Sequence, residues 1–279
     1  MRVIFVGRDN AFNRKIVSEF SLEHEVLCCL FIEPERFLKK EKLKKIIQRA
    51  KKYGLFKALD ELAFHFFDRY FLRKNEIVFW NECGEYIHTN ASLNCPCHQV
   101  ENINSSKWVE LCNSLSPDII LGTCSQVIFK PDIYKIPILG TFMIHEGLTP
   151  EYKGLHTPLW ALMKKEFNKI GYTVLKVNDK IDGGKILTQG TYSLRRNENY
   201  KAWSWVGHKA IISGMEDILR SFRELERMRY FIPLNITNRE SGYYTWMQLS
   251  HFLKFYLKNY LRKTQLNVSM AKAEPEQIV

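Results

Sequence analysis

The chain is predicted to fold as an open, mostly parallel α/β sheet, on three observations. Its first run, Arg2 to Gly7, is apolar throughout and stopped by glycine, as a parallel strand buried on both faces would be. A helical segment and a second apolar run follow at once, which makes an opening strand–helix–strand unit. Later apolar runs at Asp118–Gly122, Ile138–Ile144 and Gly171–Val177 are each separated by helical segments.

In chain order, Phe12–Phe20 is read as the first helix and His24–Ile32 as the second strand. No GxGxxG follows the first strand, so nothing signals a bound dinucleotide. From Pro34 to Lys52 the chain is basic and helical, with Leu43, Ile46, Ile47 and Ala50 at helical spacing. Lys42, Lys44, Lys45, Arg49, Lys51 and Lys52 surround them. A solvated surface face is weighed above an anionic docking face. Gly54 breaks that pattern, and a second helix runs to Leu72 with Phe56, Phe64, Phe66, Phe67, Tyr70 and Phe71, read as core or dimer contact. Glu76–Trp80 is a short strand.

The stretch Asn94-Cys95-Pro96-Cys97-His98 combines two thiols with an imidazole. Its C-x-C-H spacing is tight and no second Cys/His pair stands at ligand distance, so no metal is expected. Helix Lys107–Leu115 ends at Pro117, and strand Asp118–Gly122 leads into the loop Thr123–Lys130. After strand Ile138–Ile144 come His145 and a glycine- and proline-bounded loop to Gly154, then helix Leu155–Glu166. Strand Gly171–Val177, the turn Asp179–Gly184 and strand Lys185–Gln189 follow. The chain is then helical from Asn199 to about Met228. Trp246–Lys263 is an amphipathic helix with Leu249, Phe252, Leu253, Tyr256, Leu257, Tyr260 and Leu261 on one stripe and Lys254, Lys258 and Arg262 on another. Packing on its own domain is weighed above peripheral contact with a membrane surface or a partner. The tail beyond Thr264 is polar.

The chain has 279 residues, 46% of them hydrophobic and 25% charged, as an ordinary globular protein does. Lacking an apolar run of about 18 residues, it has no expected bilayer span. Its seven cysteines are irregularly placed, with Cys28 and Cys29 adjacent in an apolar run, which fits reduced thiols in a cytoplasmic protein. A net charge of +11 biases the surface toward anionic partners without choosing among them.

The chemistry concentrates between Gly140 and Gly190. His145 follows a strand and Asp182 sits in an IDGG turn, with a helix and a strand between. Such a unit can bring its two loops to one sheet edge, where a carboxylate would orient the imidazole for proton transfer. The alternative is an isolated histidine and an isolated turn aspartate that never meet.

HEGLTPEYKGLHTPLWAL followed by IDGGKILTQG resembles the core of the formyltransferase family that takes its formyl group from 10-formyltetrahydrofolate. Its members include the glycinamide ribonucleotide, methionyl-tRNA and sugar N-formyltransferases. The likeness runs from about Val100 to Gly190 and more loosely back to Met1. It implies a Rossmann-like sheet of the formyltransferase type over residues 1–195, a helical insertion at 34–72, a helical C-terminal extension at 196–264 and a disordered tail at 265–279. The family's Asn-x-His motif and D-x-G turn place His145 and Asp182 in the catalytic roles. Met143 stands where the asparagine would be. The resemblance further implies folate contacts at Cys124, Ser125, Gln126 and Val127 and at the backbone of Gly183 and Gly184. Met143, Lys153 and His156 fall on the acceptor side. Nothing resembles the β-barrel of the tRNA enzymes, which weighs against tRNA and leaves a small anionic amine as the expected acceptor. Met143 carries no donor for an oxyanion, so a formyltransferase and a catalytically silent homologue acting as a binding subunit both stay open. Nucleic-acid binding rests on charge alone.

Overall fold

A computed structural model describes residues 1–33, 47–72, 93–123, 128–194, 203–235 and 238–258. The expected strand Glu76–Trp80, most of the basic helix, the loop Cys124–Val127 and the tail lie outside them. The chain divides into two compact units. One comprises Met1–Leu38 with Leu72–Thr245, the other Lys39–Phe71 with Trp246–Val279. The described residues among 196–245, expected as part of a C-terminal extension, fall in the first of these units.

The first unit is built on a seven-stranded sheet. Its strands in chain order are β1 (Arg2–Gly7), β2 (Glu25–Ile32), β3 (Cys97–Val100), β4 (Ile119–Thr123), β5 (Gly140–His145), β7 (Gly171–Lys176) and β8 (Ile186–Thr191). The spatial order is β3-β2-β1-β4-β5-β7-β8. Pairs from β3 through β5 are parallel, whereas β7 runs antiparallel to both β5 and β8. β6 (Lys153–Gly154) stands apart and pairs in parallel with β9 (Tyr243–Tyr244).

Alternation along the strands sorts their side chains into two cores. Val3, Phe5, Ile119, Leu121, Phe142 and Ile144 face one, where α1 (Ala11–Ser21) and the late helix Met215–Met228 supply Ile16, Phe20 and Phe222. Ile4, Val6, Cys28, Leu30 and Ile120 face the other, closed by Trp108 and Cys112 of the helix Ser106–Leu115. Being buried on both faces, these strands read as unbroken apolar runs. Order reverses between β1 and β4: from β1 the chain builds outward to β2 and β3, then returns to the opposite side. Crevices beyond the carboxyl ends of strands at such a switch point are where α/β sheets bind ligands.

In the second unit the helix Leu55–Phe67 buries Ala58, Glu61 and Phe64, and Phe64 and Phe67 pack on Phe252. Arg49 donates to the Glu61 carboxylate. Only part of the aromatic run is core: Phe56, Phe66, Tyr70 and Phe71 are exposed, as are Leu253 and Leu257 of the last helix. No helix among the described residues is long and apolar enough to cross a membrane.

Candidate functional site

His145 ends β5 on the same face as Met143, with Phe142 and Ile144 committed to the core behind them. Its ring is buried, and Nε2 lies 2.8 Å from the main-chain oxygen of Tyr152. A carbonyl only accepts, so Nε2 holds the proton of the neutral ring and Nδ1 keeps the lone pair. Gly147 makes this placement possible, since a Cβ there would stand 3.0 Å from Nε2 and 2.9 Å from the Tyr152 oxygen.

Nδ1 faces Asp182 Oδ2 across 3.8 Å. That is ion-pair distance, longer than a hydrogen bond, so a proton or a polar atom of a bound molecule can sit between the two. The two loops expected to converge do so. Asp182 has a left-handed backbone, φ 46, and its Oδ2 accepts from the Gly154 N–H at 2.8 Å. Gly184 is required by the same turn, because a Cβ there would meet the Lys176 oxygen at 1.7 Å. The structure thus gathers His145, Asp182 and the Gly154 amide, with Met143 two residues back along β5. The Met143 thioether lies over Gly122 of β4, where an added Cβ would meet its Cε at 2.8 Å.

Other expected residues stand differently. Lys153 is half-buried in β6, one residue from Gly154. His156 has φ 56, just before the helix Thr157–Lys164, and its ring packs on Trp203 at 4.7 Å between centroids. Gly183 is exposed beside Asp182. Cys124, Ser125, Gln126 and Val127 lie outside the described residues, immediately after β4. A surface hollow lined by His98, Lys107, Trp108 and Ser114 includes neither His145 nor Asp182.

Two arrangements around the pair have no local sequence signal. The first lies at the switch point, where Thr123 donates to Asn13 Oδ1 at 2.6 Å and Asn13 Nδ2 donates to the Arg8 oxygen at 2.8 Å. Gly7 leaves them room, a Cβ there meeting both side chains at 2.9 Å.

The second arrangement is a strap, residues 239–245, fastened along the loop that follows His145. Gly242 N–H donates to the Pro150 oxygen, Lys153 N–H to the Gly242 oxygen and Leu155 N–H to the Tyr244 oxygen. Tyr244 stacks on Tyr152 at 4.9 Å, and Trp160 Nε1 donates to the Thr245 oxygen. Arg239 donates through Nε to Glu151 at 2.8 Å and through Nη1 to Gln189 Oε1 at 2.6 Å. Gln189 Nε2 passes the contact on to the Thr149 oxygen and Thr173 Oγ1, each at 2.8 Å. Thr173 in turn donates to the Gly147 oxygen at 2.6 Å. Partial burial pushes the Glu151 carboxyl up, but the Arg239 hydrogen bonds outweigh it and hold it below its ordinary value. Burial, helped by a hydrogen bond to Glu166, pushes the Tyr152 hydroxyl well up, so it remains a donor.

Residues 85–205 match the model of the formyl transferase family. Over 107 residues, 38% of this chain, the sequence is 36% identical to a bifunctional polymyxin resistance protein ArnA of Wigglesworthia glossinidia brevipalpis. Over 108 residues, 39% of the chain, it is 30% identical to a methionyl-tRNA formyltransferase of Chlorobium chlorochromatii. These segments span 16% and 34% of the two relatives. Among solved structures, phosphoribosylglycinamide formyltransferase of Anaplasma phagocytophilum superposes over 88% of this chain and 99% of its own, with TM-score 0.52 and 12% identity. HypX of Aquifex aeolicus, solved in complex with tetrahydrofolic acid, covers 90% of this chain and 30% of its own, with TM-score 0.50 and 18% identity. At such identities the structural likeness is one of fold.

Proposed function

We propose, for a chain whose residues 85–205 carry a formyl transferase domain, that it transfers a formyl group from 10-formyltetrahydrofolate to the amine of a small anionic acceptor. A nucleotide-linked amino sugar or glycinamide ribonucleotide has the right chemistry. The observation that supports this most is the His145 Nδ1–Asp182 Oδ2 approach, 3.8 Å across two loops at the carboxyl edge of the sheet. HypX, which shares the fold, is described in complex with tetrahydrofolic acid. The donor set here suits such a molecule: an imidazole lone pair and a carboxylate beside an apolar thioether face over Gly122.

The formyl donor supplies an electrophilic carbonyl carbon and an amine leaving group. The chain's own residues manage protons and charge. Nδ1 of His145 takes the proton released by the acceptor amine as its nitrogen bonds to the formyl carbon. The same proton, returned, serves the departing nitrogen. Asp182 fixes the ring's working face and balances the imidazolium while it lasts. The Gly154 N–H, pinned to Asp182, keeps that carboxylate aimed. Met143 donates nothing to the developing oxyanion, and loss of one such donor costs about 10²–10³-fold in rate in a well-studied hydrolase. The rate here then rests on the histidine, the aspartate and main-chain donors. The surface charge of +11 favours acceptors that carry phosphate or carboxylate.

The test is release of tetrahydrofolate from 10-formyltetrahydrofolate with a panel of amines, including nucleotide-linked amino sugars and glycinamide ribonucleotide. Turnover with one acceptor, abolished in His145→Asn, is the expected result. Folate binding without turnover on any amine would instead support a silent binding subunit, and no folate binding would end the reading altogether.

A further inference from the structure

The motif Cys95-Pro96-Cys97 gains a third thiol from a distant part of the chain. Pairing of β2 with β3 sets Cys29 directly opposite Cys97, and the Cys29 N–H donates to the Pro96 oxygen at 2.9 Å. Cys95 precedes Cys97 by two positions, so an extended backbone turns both to one face. The Cys29 and Cys95 sulfurs are 3.5 Å apart. All three sulfurs lie within 4.8 Å of one another, with Cys29 buried, Cys95 half-buried and Cys97 exposed.

We propose that Cys29, Cys95 and Cys97 form a binding site for a thiophilic d¹⁰ cation, Zn²⁺, with the fourth position open to solvent on the Cys97 side.

The spacing suits that ion. With Zn–S bonds of about 2.3 Å, tetrahedral ligation needs sulfurs about 3.8 Å apart. The observed sulfurs bracket that spacing, with Cys29 and Cys95 3.5 Å apart and all three within 4.8 Å. An all-sulfur set selects zinc over the hard cations, which prefer oxygen. The surroundings also suit it. Three thiolates around a divalent cation leave one excess negative charge, and the Arg14 guanidinium of α1 is close enough to feel charge on Cys97 and Cys29. Arg14 is anchored by Asp9, to which Nε donates at 2.6 Å. On ligation each thiol yields its proton to solvent and its sulfur lone pair to the metal; no electron changes hands.

The site sits on the far edge of the sheet from His145, because β3 and β2 are separated from β5 by β1 and β4. Cation binding there ties the edge strand to β2 independently of formyl transfer.

The full chain, reduced and freed of metal, is titrated with Zn²⁺ against a chromophoric chelator, and separately with Co²⁺ for its absorption spectrum. One equivalent bound per chain, with a sulfur-to-cobalt charge-transfer band and tetrahedral d–d bands, is expected. Cys97→Ser, at the exposed position, is expected to lower zinc affinity at least about tenfold. Its metal-free circular dichroism should match the parent, and Cys95→Ser should lose the charge-transfer band. Unaltered affinity in both variants would overturn the site, as would a cobalt spectrum without thiolate bands. Loss of two titratable thiols in favour of a Cys29–Cys95 disulfide that takes up no metal would also overturn it.

Discussion

Replacing Arg239 by alanine tests whether the strap holds the loop that follows His145. Arg239 makes two kinds of contact: a two-pronged pairing with the Glu151 carboxylate and a hydrogen bond to Gln189. Glu151 has a side chain only 15% exposed, so alanine at 239 leaves a mostly buried carboxylate without its cation. Hydrogen bonds with a charged partner contribute about 1.5–3 kcal/mol, and the guanidinium makes each of these bonds one of that kind. Solvent reaches both partners of the pair, so the low end applies, and the local loss is about 2 kcal/mol at neutral pH. Since about 1.4 kcal/mol is a factor of ten, the strap opens about 30 times more often.

The assay is amide hydrogen exchange over 149–155 and 239–245, where the Lys153, Leu155 and Gly242 N–H groups bridge loop and strap. The sign with pH is fixed. Arg239 holds the Glu151 carboxyl below its ordinary 4.5, so this stabilisation is complete above that value in the parent protein. It is lost as pH falls through the depressed folded value. The difference between Arg239→Ala and the parent is therefore full at pH 7 and narrows below about pH 4.5 to the part carried by the Gln189 hydrogen bond, which does not titrate. A difference under about threefold at pH 7, or one that stays constant as the acid limb is crossed, would refute the strap as a clamp held by this ion pair.

The remaining predictions are briefer. Asp182→Asn leaves an oxygen to accept from Gly154 N–H, so the fold stays intact, while formyl transfer falls about 10²–10⁴-fold; a loss under tenfold removes Asp182 from the proton chemistry. Gly154→Ala places a Cβ 2.1 Å from the Tyr244 oxygen at φ 97, so β6 and β9 must part. Strain and two lost hydrogen bonds cost about 3 kcal/mol or more in urea unfolding. Met143→Asn adds a donor on the His145 face and raises turnover, by up to about 100-fold, at a stability cost of about 1–2 kcal/mol from the lost contact over Gly122. Unchanged kcat in that variant would mean that a main-chain donor already serves the oxyanion.

Much of the sheet was legible because strands buried on both faces leave unbroken apolar runs. Arg2–Gly7 coincides with β1, the run 171–177 contains β7, and the runs 118–122 and 138–144 overlap β4 and β5, each of which ends one residue later. Strand direction was not legible, since nothing in Gly171–Val177 announces that β7 turns antiparallel. Nor was β3: CHQV is four residues at a sheet edge, buried only at Val100, too short for a period. The helix expected over Leu155–Glu166 is confined to Thr157–Lys164 because His156 and Lys165 both adopt left-handed backbone. The histidine and aspartate stand out in their loops, but spacing alone leaves their meeting open, and the family resemblance is what pairs them. The cysteine cluster and the strap could not be foreseen, because each joins segments far apart in the chain through contacts of two or three residues.

That difference bears on how the site works. The His145 ring is oriented by the Tyr152 oxygen, and Asp182 by the Gly154 amide. Both of those main-chain groups belong to a loop whose other side is bonded to the strap. The loop's near end is held through Gly147, Thr173 and Gln189, and Gln189 is itself held by Arg239. The hydrogen bonds that aim His145 and Asp182, the residues proposed to move the proton, come from a loop that is itself bonded to residues 239–245. A substitution in the strap should therefore lower kcat with little change in donor affinity, since it disturbs proton positioning rather than the binding surface. At Gly154, Gly184 and Gly242 an added Cβ would stand 2.1, 1.7 and 2.2 Å from a main-chain oxygen, so at each of them one layer of main chain presses directly on another.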